Sequence, residues 1–377
     1  MADPRLERLA TLLVDYSLGL ASGEVLRINS SDSAAPLVLE LHRAALARGA
    51  HAYANIALEE LAEILVSEGS KAQREFVSEI ALREVGRLDA EVTIWSEENT
   101  RAFSRADPEA RGQVYTAERS LVNRRWERIA ARELRWVGTL MPTNAHAQDA
   151  EMSLREYEDF VFRACHVAGG EDPVAHWRRV RDELTARAGE LADTREVRIV
   201  GPDTDLRLGV AGRTWQPSYG THNMPDGEVF TSPVETETEG EIRFTLPAVF
   251  YGREVEDIRL RFEGGRVVAA EARRGGDYLQ ALLDTDEGAR VLGEYAFGLN
   301  YEIDRWTRNI LFDEKIGGTV HLALGSSFDD CGGRNESALP WDIICDLREE
   351  GEIYADGELI WRAGHFLEAP KPVAERV

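Results

Sequence analysis

The chain has 377 residues, 44 basic against 68 acidic side chains for a formal net charge of −24, and three cysteines. That length exceeds what one hydrophobic core usually organises and predicts two domains. The acidic balance argues against a nucleic-acid binder, which needs clustered Lys and Arg to displace counterions, and the scattered Cys165, Cys331 and Cys345 argue against a disulfide framework.

The opening MADPRLERLATLLVDYSLGL is charged and reads as an amphipathic helix rather than a secretory leader. No run of about 18 apolar residues follows, so a soluble cytoplasmic protein without a membrane span is expected. Only Lys71, Lys315 and Lys371 are lysines, and an acidic surface carrying arginine suits a protein kept soluble in a salt-rich cytoplasm.

Residues 1–195 alternate helix and strand patterns, which predicts a parallel sheet covered by helices, an α/β domain that is Rossmann-like in topology. EVLRINS, AHAYANI, DAEVTIWSEE and RWVGTLMPT read as strands, and AAPLVLELHRAALARG, RSLVNRRWERIAARELRW, SLREYEDFVFRACHV and DPVAHWRRVRDELTARAGEL as helices. Ser153 and Glu156 form a capping box, and the arginine-rich helices are expected to carry salt bridges on their surfaces. The glycines lack the order and position of a dinucleotide fingerprint. From 196 to 377 short alternating segments (REVRIVGP, TDLRLGVAG, GEIRFTLP, EDIRLRFEGGRVVAAEA) separated by Gly, Asp and Pro predict an antiparallel, β-rich α+β domain. One helix is expected to interrupt it, DYLQALLDTDEGARVLGEYAFG, running into Glu294.

Four segments of this second half concentrate metal-ligand types: THNMPDGEVFTSPVE with Glu228, LGEYAFGLN with Glu294, LFDEKIGGTVHLALGSSF with His321, and ESALPWD with Asp342. Singly each has a plain reading, a solvated glutamate or a core histidine. Together, two carboxylates in apolar surroundings, a strand histidine and an aspartate would suit a pair of divalent ions.

NMPDGEVFTSP, LGEYAFGLN, LFDEKIGGTVHLALGSS and GGRNESALPWDIICDLREEGEIYADGELI, with ELRWVGTLMPTNAHAQDAEMSLREYEDFVFRAC upstream, resemble the aminopeptidase T family of thermophilic-type metalloaminopeptidases, especially its archaeal branch. The resemblance spans nearly the whole chain. It implies a cytosolic homodimer that removes N-terminal residues from peptides with two divalent ions, Zn, Co or Mn. Carried over by position, it makes Glu228 the first ligand, Glu294 the bridging and catalytic glutamate, and His321 and Asp342 the remaining ligands. The family usually shows His-x-Asp in the last segment, where this chain has Pro340, and a tyrosine where it has Phe328. Those two departures raise one alternative, a relative that binds one metal or none; a second, an iron-dependent ring-opening dioxygenase, rests on the resemblance of dihydroxypyridine dioxygenases to this fold, and Pro340 counts against it. His222, Glu336 and Cys345 are the conceivable substitutes for the missing imidazole, and Glu235 is a remote one.

Overall fold

A computed structural model describes residues 3–250 and 252–367. The chain packs as two compact units, Met1–Val180 with Tyr219–Asp226 and Arg181–Ser218 with Gly227–Val377. Among the described residues no helix is long and apolar enough to cross a membrane.

The first unit is built on an all-parallel sheet in the order His51–Ala57, Val25–Ser31, Ala90–Trp95, Arg135–Leu140, Asn223–Met224. Parallel neighbours need crossover connections, and the helices Ala35–Ala47 and Pro108–Ala130 supply two of them. The Val25–Ser31 and Ala90–Trp95 strands carry Leu26, Ile28, Ala90, Val92 and Ile94 into the core. The capping box forms as expected: Ser153 Oγ accepts from the Glu156 N–H, and the Glu156 carboxylate accepts from the Ser153 N–H, starting Leu154–Ala164.

One expectation is corrected here. The arginines of the Pro108–Ala130 helix do not all lie on a solvated face. Arg128 is buried and donates to the carbonyls of Val85 and Leu88 at 2.7 and 2.6 Å, and Arg125 reaches the buried Glu91 at 2.8 Å. A long stem that packs like a hydrocarbon and a head with five donors let arginine cap carbonyls that an apolar residue would leave unsatisfied.

The second unit contains two antiparallel sheets. A nine-stranded sheet runs Ala248–Phe250, Arg253–Glu263, Thr238–Phe244, Thr204–Gly209, Glu196–Gly201, Glu352–Ala355, Glu358–Arg362, His365–Phe366, with Arg266–Arg274 beside Arg253–Glu263. A five-stranded sheet runs Pro340–Asp346, Thr319–Gly325, Leu292–Gly298, Glu228–Thr231, Gln216–Ser218. Its two central strands, LGEYAFG and TVHLALG, are buried at every position. Apart from the Tyr295 phenol, Glu294 and His321 are the only ionisable side chains on these two strands.

The expected long helix into Glu294 is also corrected. The helix covers only Gly276–Leu283; a 3-10 turn at Glu287–Arg290 follows, capped by Asp286, and Leu292–Gly298 is a strand. Asp286 accepts from the Ala289 N–H and the Ser337 hydroxyl, which ends helical geometry before the aromatic, β-favouring segment begins. The strand alternates accordingly. Tyr295 and Phe297 face an aromatic layer with Trp215, Trp361 and Phe366, at ring separations of 4.8 to 6.0 Å, while Glu294 and Ala296 face the other side.

Candidate metal centre

The strand registers explain why the ligand types converge. Ala323 pairs with Glu294 on one neighbouring strand and Asp342 on the other. Ala296 pairs with His321 on one side and Phe230 on the other, and Gly298 pairs with Glu228. Residues that pair, or that lie two apart on one strand, share a face. Glu228, Glu294, His321 and Asp342 therefore stand around a floor of Ala296, Ala323 and Gly298, whose small side chains leave the space above them open.

In that space one ligand atom each from Glu228, Glu294 and His321 lies within 4.8 Å of the others, all three residues buried. His321 Nε2 is 3.4 Å from Glu294 Oε1 and 3.9 Å from Glu228 Oε2. A second group within the same spacing is Glu314, His321 and Asp342. His321 Nδ1 lies 2.9 Å from the Glu314 carbonyl oxygen, which can only accept, so Nδ1 carries the proton and donates. In the neutral ring that would bind a metal, Nε2 is then the lone-pair nitrogen aimed at the carboxylates, the arrangement that orients histidine ligands in metal sites.

The electrostatics are those of an anionic pocket. Burial opposes charge on His321, but the hydrogen bond and charge of Glu294, then Glu228 and Asp342, outweigh it and push the imidazole up to about 10. Burial, then the charges of Glu294 and Glu314, push Asp342 up to about 7, while His321 and Lys315 pull it down. Carboxylates held this close need a cation or a proton among them. Oxygen and imidazole donors without a thiolate suit a divalent ion such as zinc, cobalt or manganese, so the residues present fit a metal.

Among the described residues the substitutes for the missing imidazole stand elsewhere. His222 lies edge-on to Trp136 at 5.8 Å, and Glu336 is exposed. Cys345 is buried, contacts the Arg243 carbonyl oxygen at 3.5 Å and has its thiol pushed up to about 12 by burial. Glu235 pairs with Arg213 at 2.6 Å. Pro340 opens its strand exposed, and Phe328 is 46% exposed with its ring 5.2 Å from Phe230.

A family model described as Thermophilic metalloprotease (M29) matches residues 2–366. The chain belongs to that family. It is 28% identical to Aminopeptidase 2 of Geobacillus stearothermophilus over 97% of this chain and 98% of the relative. It is 36% identical to Aminopeptidase T of Thermus aquaticus over 45% of this chain and 44% of that one. The solved structure of wild-type AmpT from Thermus thermophilus superposes with a TM-score of 0.86 at 26% identity, covering 97% of this M29 chain and 99% of that one. The mixed α/β fold and the aminopeptidase T resemblance read from the segments are both met by these likenesses.

Two residues of the pocket were not singled out from sequence. Glu314 and Lys315 sit in "DEK", three charged residues in a row that read as a solvated turn. The fold instead lays this turn against the His321 strand: Lys315 is fully buried, forms an ion pair with Glu314, and places Nζ 3.7 Å from Glu228 Oε1. A sequence signal was available only in the adjacency of DEK to a strand whose one ionisable side chain is His321.

Proposed function

We propose that this M29 chain is a metal-dependent aminopeptidase that releases N-terminal residues from peptides. The observation that carries the reading is the convergence of Glu228, Glu294 and His321 within 4.8 Å on the buried floor of one sheet, with Nδ1 of His321 tied to a backbone carbonyl. Glu228, Glu294 and His321 would hold a divalent ion, with Asp342 the remaining candidate ligand; a metal bound there polarises the scissile carbonyl and makes water a nucleophile near neutral pH.

The chain's own groups do the rest. The Glu314 carbonyl fixes the His321 ring, so no rotamer search precedes each turnover. Glu294, in one row with Ala323 and Asp342 and 3.4 Å from His321 Nε2, would be the carboxylate that takes a proton from the attacking water and returns it to the leaving amine. The carboxylates around it give the pocket a negative field that attracts a peptide's free α-ammonium, which supports exopeptidase rather than endopeptidase action. The surface helix Glu59–Glu68 buries none of its side chains and exposes Leu61 and Ile64, with Phe76 and Ile80 exposed nearby in sequence; this apolar surface supports a homodimer.

Hydrolysis of leucine and arginine p-nitroanilides, measured after chelation and after adding back Zn, Co or Mn, tests the reading. Activity that vanishes on chelation, returns with metal, spares N-acetylated peptides and is lost in Glu294→Gln is expected. Full hydrolysis by the chelated protein, or equal cleavage of acetylated substrates, would refute it.

A further inference from the structure

Both groups able to hold an ion draw on the same histidine, and His321 has a single free nitrogen. An imidazole nitrogen offers one lone pair and serves one ion. With His321 committed to the first ion, the second group keeps only the carboxylates of Asp342 and Glu314, because the residue sharing the Asp342 face two positions earlier is Pro340, which has no donor. What the structure supplies beside these carboxylates is a cation of its own. The Lys315 side chain is 0% exposed, its ammonium ion-paired with Glu314 and 3.7 Å from Glu228 Oε1. A lysine almost never gives up water completely unless anions surround it. Adding a second divalent ion here would set it against both this ammonium and the first ion, and like charges a few ångströms apart in a buried site repel strongly.

Building on the metallopeptidase reading above, we propose that Lys315 is the second cation of this centre, so that the chain binds one divalent ion, on Glu228, Glu294 and His321, and neutralises Glu314 and the Asp342 side of the pocket with its own ammonium. The centre is thus mononuclear in metal and dinuclear in charge. Glu228 is the carboxylate that both cations share.

Titrating the metal-free protein with Co²⁺, followed by visible absorption and calorimetry with metal content checked on the desalted sample, reads the stoichiometry directly. Wild type is expected to saturate at one ion per chain. Lys315→Gln is expected to gain a second equivalent, and Lys315→Arg to remain at one. Two tightly bound ions in wild type would overturn the proposal while leaving the metallopeptidase reading intact, as would a Lys315→Gln protein that still takes only one. No bound ion in wild type, together with no hydrolysis, would instead overturn the metallopeptidase reading itself. The wild-type count needs no variant, and Lys315→Met, of similar length, serves if the Gln protein does not fold.

Discussion

Gly298→Ala probes whether the backbone anchor of His321 matters to the site. A Cβ built at Gly298 would lie 2.4 Å from the Ile316 carbonyl oxygen, 3.0 Å from Thr319 Oγ1 and 3.2 Å from the Glu314 carbonyl oxygen. The first of these is closer than any real contact, and two of the three atoms are main chain, so the turn carrying Glu314 must move. Overpacking of this kind costs about 1–3 kcal/mol in stability. Displacing the carbonyl that orients a ligand histidine weakens metal binding by roughly 10- to 100-fold, which is about 1.4–2.8 kcal/mol. Calorimetric metal titration and thermal unfolding of the metal-free protein read the two effects separately. Gly276→Ala is the control: nothing lies within 4 Å of the Cβ it would add, and it should be neutral or stabilise by up to about 1 kcal/mol. A Gly298→Ala protein with wild-type metal affinity and wild-type melting would refute the role assigned to the turn.

Two further outcomes follow from the same geometry. Ala323→Val puts two methyl groups on the floor between Glu294 and Asp342; metal affinity and hydrolysis should fall at least tenfold by titration and p-nitroanilide assay, while Ala272→Val, on the edge strand Arg266–Arg274, leaves both unchanged. His176 stacks on His166 at 3.4 Å, and burial, then the charge of His166, lowers its pKa to about 4. The unfolded chain therefore binds more protons than the folded one between that value and the ordinary 6.5, so this contribution to stability is present above pH 6.5 and is lost as pH falls towards 4. His176→Gln should melt with a flatter pH dependence than wild type across that window, and parallel melting curves would contradict the assignment.

Much of the architecture could be read from periodicity, because strands such as EVLRINS and helices such as SLREYEDFVFRACHV carry their signals locally. The Glu294 strand could not. LGEYAFG is short, apolar and preceded by a helical pattern, and periodicity does not separate a buried strand from a buried helix turn; the capping by Asp286 that divides the two depends on Ser337 and Ala338, far along the chain. Arg128 and Lys315 were hidden for a related reason. Charged residues earn burial only through partners that tertiary structure brings, here the carbonyls of Val85 and Leu88 and the carboxylates of Glu228 and Glu314. The segments holding Glu228, Glu294, His321 and Asp342 were visible one by one, whereas the alanine and glycine floor between them emerges only when the registers are known.

The ring of His321 hangs from a main-chain oxygen rather than from a side chain. Every amino acid carries that oxygen, so no point substitution at position 314 can delete the acceptor. The fragility is transferred from residue identity to spacing: inserting or removing one residue between 314 and 321 shifts the carbonyl along the turn and leaves the imidazole without its tether. In a library of variants this stretch should therefore tolerate many replacements at 314 for ring orientation, yet almost no change in length.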